Sequence, residues 1–340
     1  MTDAPGVVRI TDVAALAGVS PSTVSKALND TGSLRPATRA KVREAAERLG
    51  FVPDATARSL SARRSFTVGL LSTDSAGRFS LPVVLGAENA LVGGQISALL
   101  ATARHDAVRE QHHVRSLVAR RVDGIIVTGR TTEPRRPIRV PMPVVYAFAP
   151  SQDPQDASVV PDDDAGMTAV AEHLTSLGRR RVAYVGGRGD QAASTQRHDS
   201  LRTALRGHDG TLVGDPLYGE WSERWGRLAV DLVLGDHRAG DPLPVDAIAF
   251  ASDQLARGGC DRLRDRGVRV PEDVAVTGYD DWDVMTLASR PPLTTVDPQL
   301  ERLGQRSAEL LLAAIDGRPS SGVELSPPRL VVRASTMGDA

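Results

Sequence analysis

ITDVAALAGVSPSTVSKALND, residues 10–30, decides the fold of the N-terminal part of the chain. A first helix is expected from about Asp12 to Ala17, with Val13, Ala14 and Ala17 on one apolar face, and it stops at Gly18. Ser20 is an N-cap residue and Pro21 suits the first helical position, where a missing N–H leaves nothing unsatisfied. The second helix therefore opens at Ser20 and continues through Thr23, Val24, Ala27 and Leu28, after a turn of only Gly18 and Val19. A third starts at Pro36, carries Val42, Ala45, Ala46 and Leu49 at helical spacing, and ends at Gly50, so that Phe51 can fold back onto the bundle.

So short a turn sends the second helix across the first at a steep angle, and its leading side chains protrude far enough to enter a DNA major groove. On that geometry Pro21, Ser22 and Lys26 face base edges, while Ser20, Thr23, Ser25 and Asn29 suit phosphate contacts. A small helical bundle with a glycine turn and no DNA role is the competing reading. Charge favours the first: residues 1–65 carry ten Lys or Arg against six Asp or Glu, a net +4, whereas the remaining residues sum to −5.

The same stretch resembles the N-terminus of the lactose/galactose repressor (LacI/GalR) family, whose pattern T-x-x-D-V-A-x-x-A-G-V-S-x-x-T-V-S-x-x-L-N is met at Asp12, Val13, Ala14, Ala17, Gly18, Val19, Ser20, Thr23, Val24, Ser25, Leu28 and Asn29. It departs at Arg35, where the family often places a serine that caps the third helix. The resemblance implies a DNA-contacting set of Thr11, Ser20, Pro21, Ser22, Thr23, Ser25, Lys26 and Asn29. It also implies that DATARSLSARRS, after Phe51-Val52-Pro53, is a hinge helix that orders on the operator and pushes a leucine into the minor groove, with Ala57 and Leu60 at the matching positions. The competing reading is a solvated basic linker, since the segment alone is too short to be a stable helix in water.

From Phe66 onward short aliphatic runs alternate with helical patterns, which is the mark of βα units and parallel sheets. Strands are expected at Thr67–Ser72, Ile96–Ala101, Gly124–Thr128, Val144–Ala147, Arg181–Val185, Ala247–Ala251 and Val274–Thr277, and helices at Val108–Arg121, Asp164–Leu177, Gln196–Leu205 and Ser222–Leu234. Proline-rich loops are expected at Glu133–Pro143 and Pro150–Pro161, the second serving as a crossover. This region resembles the family's core, similar to periplasmic sugar-binding proteins, at RRVDGIIVTG (120–129), EHLTSLGRRRVAYVGG (172–187), AFASDQLARG (249–258), VTGYDD (276–281), PPLTTV (291–296) and LVVRAST (330–336). The implied fold class is α/β: a helix-turn-helix domain over residues 1–52, a hinge over 53–65, and a core over 66–340 of two Rossmann-like subdomains. The N-subdomain takes about 66–158 and 294–318, and the C-subdomain about 159–290 and 319–336.

A sugar needs carboxylates to accept from its hydroxyls, a fixed guanidinium to donate, and an aromatic face against its C–H side. Asp162, Arg197, Trp221 and Asp280 stand at matching family positions. Asp162 lies in a run of three aspartates before a helix, so Asp163 or Asp164 is read as the N-cap. Departures from the family alter the pocket wall: Ser252 replaces a common asparagine, Tyr146-Ala147-Phe148 replaces Asp-Arg, and Gly77-Arg78-Phe79-Ser80 replaces Asn-Pro-Phe-Phe. Phe79, Tyr146 and Phe148 would make the pocket more aromatic, Arg78 could reach an anionic group, and Asp253 either braces its loop or touches ligand. The expected effector set is Phe79, Tyr146, Asp162, Arg197, Trp221, Ser252 and Asp280.

Other classes fare poorly. GGRGD (186–190) lacks both G-x-G-x-x-G spacing and a P-loop lysine, no Ser or Cys stands in a nucleophile-elbow context, and His112 and His113, adjacent on a helix, diverge too far to share a metal. Cys260 is the single cysteine, which excludes an internal disulfide and reads as a buried small hydrophobe. With no export signal or membrane-length apolar run, the expectation is a cytoplasmic regulator without cofactor or catalysis. Its expected partners are a pseudo-palindromic operator, a small molecule such as a sugar, and a second copy of itself, since no heptad helix follows LVVRAST to join dimers. The rivals are an effector-independent regulator and a transport system's sugar-binding protein, for which residues 10–64 would have no use.

Overall fold

The computed structural model describes residues 8–28, 32–51, 64–74, 77–237 and 241–338. It divides into two compact units, Met1–Ser65 and Phe66–Ala340. The expected hinge helix, with Ala57 and Leu60, lies outside the described residues, as does Asn29.

The first unit contains α1 (Ile10–Ala17), α2 (Pro21–Leu28) and α3 (Pro36–Leu49). Its core is made of small side chains: Val13, Ala14, Ala17, Val24, Ala27, Val42, Ala45 and Ala46, ringed by Ile10, Val19, Leu28, Leu34, Leu49 and Phe51. Valine and alanine let three short helices approach closely and bury one face each, which is how helices too short to persist alone become stable. Gly18 ends α1 with φ 61°, the left-handed conformation glycine adopts without strain. The N–H of Val19 then donates to the Ala14 carbonyl at 3.0 Å, closing off the helix. Arg35 occupies the N-cap of α3 and makes no side-chain capping bond, so the family's serine cap is absent.

The second unit holds two sheets. One runs β2 (Ser97–Thr102), β1 (Thr67–Ser72), β3 (Gly124–Thr128), β4 (Val144–Ala147), β5 (Ala157–Pro161), β11 (Gly322–Ser326), every neighbouring pair parallel. The other runs β7 (Thr211–Leu212), β6 (Arg181–Val185), β8 (Ala247–Phe250), β9 (Ala275–Tyr279), β10 (Thr294–Asp297), β12 (Arg329–Val331), parallel except that β12 opposes β10. Strands such as Gly124-Ile125-Ile126-Val127-Thr128 are buried along their whole length because helices cover both faces.

The chain changes sheets between β5 and helix Asp163–Ser176, between β10 and helix Leu300–Ile315, and between β11 and β12. Two strands differ from expectation. Residues 294–297, expected in the first half, pair with β9 in the second sheet, and residues 322–326, expected in the second half, pair with β5 in the first. Thr294, Thr295 and Val296 are fully buried there, so the crossing has to follow the strand instead of preceding it. A strand, β5, also replaces the end of the proline-rich loop, because Ala157, Ser158 and Val159 are buried between β4 and β11.

Helix Leu300–Ile315 returns to pack on helix Ser80–Gly93 through two glycines. A Cβ on Gly86 would meet the Glu301 carbonyl oxygen at 1.8 Å, and one on Gly304 would meet that of Val83 at 2.0 Å. That close crossing joins the last long helix to the first half of the body and fixes where both crossovers run.

Candidate functional site

In the head, Pro21, Ser22 and Lys26 lie exposed along α2, opposite its buried residues Val24 and Ala27. Thr11 and Ser20 are exposed, while Thr23 and Ser25 are half-buried. The Ser20 hydroxyl accepts from the Thr23 N–H at 3.2 Å and lies 2.9 Å from the Thr23 hydroxyl, so both groups are engaged in starting the helix. Arg39 on α3 donates to the Gly32 carbonyl at 2.9 Å.

In the body, a cavity of about 350 Å³ opens between the two halves, at the carboxyl ends of strands from both sheets. Open α/β sheets place ligands there, where strand order reverses and loops rather than helices face one another. Residues after β1, β3 and β4 supply one wall, including Arg78, Phe79, Glu133 and Phe148; residues after β6, β7, β8 and β9 supply the other, including Gln191, Arg197, Trp221, Ser252, Asp280 and Trp282. Phe79 and Phe148 stack with ring centres 5.2 Å apart.

Arg197 is the electrostatic centre. Only 5% exposed, it donates through Nε to Asp163 Oδ1 at 3.0 Å and through Nη1 to the Ala251 carbonyl at 2.8 Å, and its guanidinium lies 3.6 Å over the Tyr279 ring. Asp280 Oδ1 stands 3.8 Å from Nη1. Burial opposes the arginine's charge, but Asp163, Tyr279 and Asp280 more than offset it and raise its pKa. Burial raises the pKa of Asp280, with Arg78 and Arg197 pulling the other way.

The loop carrying Asp280 is over-determined. Asp280 and Asp281 have φ of 106° and 47°, left-handed values unusual for aspartate. Asp253 clamps the loop: its Oδ2 accepts from the Trp282 N–H at 2.8 Å, and its Oδ1 accepts from the Thr295 hydroxyl at 2.5 Å. Arg333 holds Asp281 at 2.7 Å. Asp253 therefore braces the loop and does not line the cavity. Burial pushes its carboxyl well above the ordinary carboxylate range, and neighbouring Asp280 adds to the effect.

Phe79, Arg197, Trp221, Ser252 and Asp280 of the expected set meet at this cavity. Trp221 donates its indole N–H to Gln191, and Ser252 caps helix Asp253–Asp265 by accepting from the Leu255 N–H at 3.3 Å. Two expectations are corrected. Asp162 is the N-cap of helix Asp163–Ser176, accepting from the Ala165 N–H at 2.9 Å, and Asp163 is the buried partner of Arg197. Tyr146 faces away from the cavity into the core of Leu71, Leu117, Val122, Ile125 and Val127, where its hydroxyl accepts from the Ile138 N–H at 2.7 Å. Phe148, two residues on with φ 76°, turns to the cleft instead. Sequence reasoning missed Glu133, Gln191 and Trp282; only Trp282 had a signal, standing two residues after Asp280.

Cys260 is buried, and burial pushes its thiol up to about 12, which leaves it inert at neutral pH. Among the described residues no group of three or more His, Cys, Asp or Glu could hold a metal ion, and no helix is long and apolar enough to cross a membrane.

A three-helix head with an exposed polar helix edge, followed in sequence by a two-lobed body with a cavity at the ends of both sheets, defines a DNA-binding transcriptional regulator with a ligand-binding domain. Residues 9–54 match the model of bacterial regulatory proteins of the lacI family, and residues 171–336 match that of the periplasmic binding protein-like domain. The chain is 35% identical to the HTH-type transcriptional regulator CelR of Thermobifida fusca, covering 95% of this chain and 96% of that one. It is 30% identical to the HTH-type transcriptional repressor PurR of Aliivibrio fischeri, covering 96% and 98%. Among solved structures it matches the lac repressor dimer bound to operator and the anti-inducer ONPF, with TM-score 0.73 and 26% identity over 97% of this chain and 99% of that one. It also matches a CelR–cellobiose complex, with TM-score 0.66 and 31% identity over 96% and 99%. The chain belongs to the LacI family of transcriptional regulators.

Proposed function

We propose that this protein is a cytoplasmic repressor of carbohydrate-utilisation genes, without catalytic activity, whose operator affinity is set by a sugar or sugar derivative held between the two halves of its body. The observation that carries the reading is the meeting of Arg197, Asp280, Trp221 and Phe79 in one cavity at the ends of both sheets. In this reading Asp280 accepts from ring hydroxyls, Arg197 donates, and Trp221 offers a flat face to C–H groups. The relative solved with cellobiose supports a sugar as the ligand class.

The head reads DNA through Pro21, Ser22 and Lys26 at base edges, with Thr11, Ser20, Thr23, Ser25 and Asn29 at phosphates and Ala57 and Leu60 in the hinge. The working unit is a homodimer on a pseudo-palindromic operator. Exposed Leu81, Leu85 and Val92 on helix Ser80–Gly93, and Leu228 and Leu232 on helix Glu223–Leu234, are apolar surface that a dimer would cover.

Calorimetric titration of the purified protein with a panel of neutral and phosphorylated sugars tests the effector role. A binder is expected whose affinity is lost in Arg197→Met and Asp280→Asn. Failure of every sugar to bind would leave an effector-independent regulator.

A further inference from the structure

Hydrogen bonds join the halves of the body across the cavity: the Ala192 N–H donates to Glu133 Oε1 at 3.0 Å, and Arg78 Nη2 donates to Asp280 Oδ2 at 2.5 Å. The second lies at a boundary. Arg78, Phe79, Asp280 and Trp282 line the 350 Å³ cavity and also a larger open groove of about 960 Å³, so these four side chains are the partition that the two spaces share. The Arg78 guanidinium sits 4.2 Å over the Trp282 ring and 4.7 Å over the Phe79 ring. Its Nε is buried without a hydrogen-bond partner. One carboxylate and two ring faces therefore hold it. Asp280 and Trp282 cannot yield easily, because Asp253 and Arg333 clamp their loop. The movable member of the partition is Arg78.

We propose that Arg78 is the gate of the cleft and a specificity-determining residue: it closes the inner cavity from the outer groove, and a ligand enters by displacing its guanidinium from Asp280 and offering hydroxyl donors in its place. This rests on the sugar-binding reading and narrows it to uncharged polyols. A group that replaces a guanidinium at a buried carboxylate has to donate hydrogen bonds; adjacent hydroxyls do so, and a phosphate or carboxylate does not. Charge agrees, since Arg78, Arg130 and Arg197 balance Asp74, Glu133 and Asp280 in the cavity wall. An uncharged sugar keeps that balance, whereas a phosphorylated one adds up to about two negative charges.

The test has a ligand-free arm and a ligand arm, both on the full chain. Without ligand, Arg78→Met is expected to raise acrylamide quenching of tryptophan fluorescence, and Arg78→Lys, which keeps the charge but cannot lie flat between two rings, to fall between it and wild type. A smaller difference should persist in a Trp282→Phe background, because Trp221 lines the cavity that the gate closes. Unchanged quenching in both variants, or a difference that vanishes in Trp282→Phe, overturns the gate. In the ligand arm, stopped-flow titration uses cellobiose, maltose and glucose against glucose 6-phosphate and gluconate. Any neutral sugar that binds should associate at least about fivefold faster with Arg78→Met, as expected on loss of a competing buried ion pair, and the anionic compounds should bind neither protein. Loss of neutral-sugar binding in Arg78→Met overturns the gate by making Arg78 a ligand contact, and binding of an anionic compound overturns the specificity. If no sugar binds while the quenching difference stands, the sugar reading fails and the gate survives.

Discussion

Arg197 illustrates how one buried charge organises its surroundings: Asp163, Asp280, a backbone carbonyl and the Tyr279 ring all converge on it. Removing one partner of a buried pair leaves the other uncompensated, so Asp163→Ala should destabilise the body by about 3–5 kcal/mol in urea unfolding. A loss under about 1 kcal/mol would show that Asp280 alone suffices for the pair. Asp253 makes a pH prediction. Its folded pKa is raised, so its contribution is fully present below the unfolded value, near 4 for an aspartate, and is lost as pH rises through the folded value. Asp253→Asn imitates the protonated carboxyl, since an amide can accept from the Trp282 N–H and donate to the Thr295 hydroxyl. Melting temperatures from pH 4 to 8 should then fall with pH more steeply in wild type than in Asp253→Asn; parallel curves would contradict the assignment. At this scale the family resemblance, not residue type, brought Arg197, Trp221 and Asp280 into the expected set, and these three do line the cavity. The sequence was not legible where phase mattered. Three consecutive aspartates do not reveal which one caps a helix, and in Val144–Ala147, buried on both faces, alternation cannot say which face Tyr146 takes.

Among the elements, α2 carries the DNA-reading claim. Ser20→Ala removes the oxygen that accepts from Thr23 and should cost about 1 kcal/mol of head stability. Lys26→Ala should cost about 1–3 kcal/mol in operator binding and relax base preference at one position. A loss uniform across sequences, measured by competition binding, would reassign Lys26 to phosphate contact. The helix pair Ser80–Gly93 and Leu300–Ile315 makes a packing prediction: Gly304→Ala drives a methyl into the Val83 carbonyl and should destabilise the body by about 1–3 kcal/mol in thermal melts. The three helices of the head were legible almost to their ends because caps and glycines punctuate them. The edges of the body's sheets were less so. β5 sits beside prolines, and the exchange of β10 and β11 between sheets follows from where helix Leu300–Ile315 packs, a long-range choice that local patterns do not encode.

On the scale of the whole molecule, regulation requires that a ligand bind two arrangements of the body with different affinity, and that the arrangements present the operator-reading heads differently. Such couplings amount to about 1–3 kcal/mol, or roughly 5- to 150-fold in affinity. The most direct test is fluorescence anisotropy of the full-length protein on a labelled duplex from its own upstream region, titrated at fixed moderate salt with and without the sugar that binds in calorimetry. Nanomolar to tens-of-nanomolar binding, far tighter than to a scrambled duplex and shifted at least about fivefold by that sugar, is the predicted result. Equal affinity for operator and scrambled DNA would contradict the account at its centre.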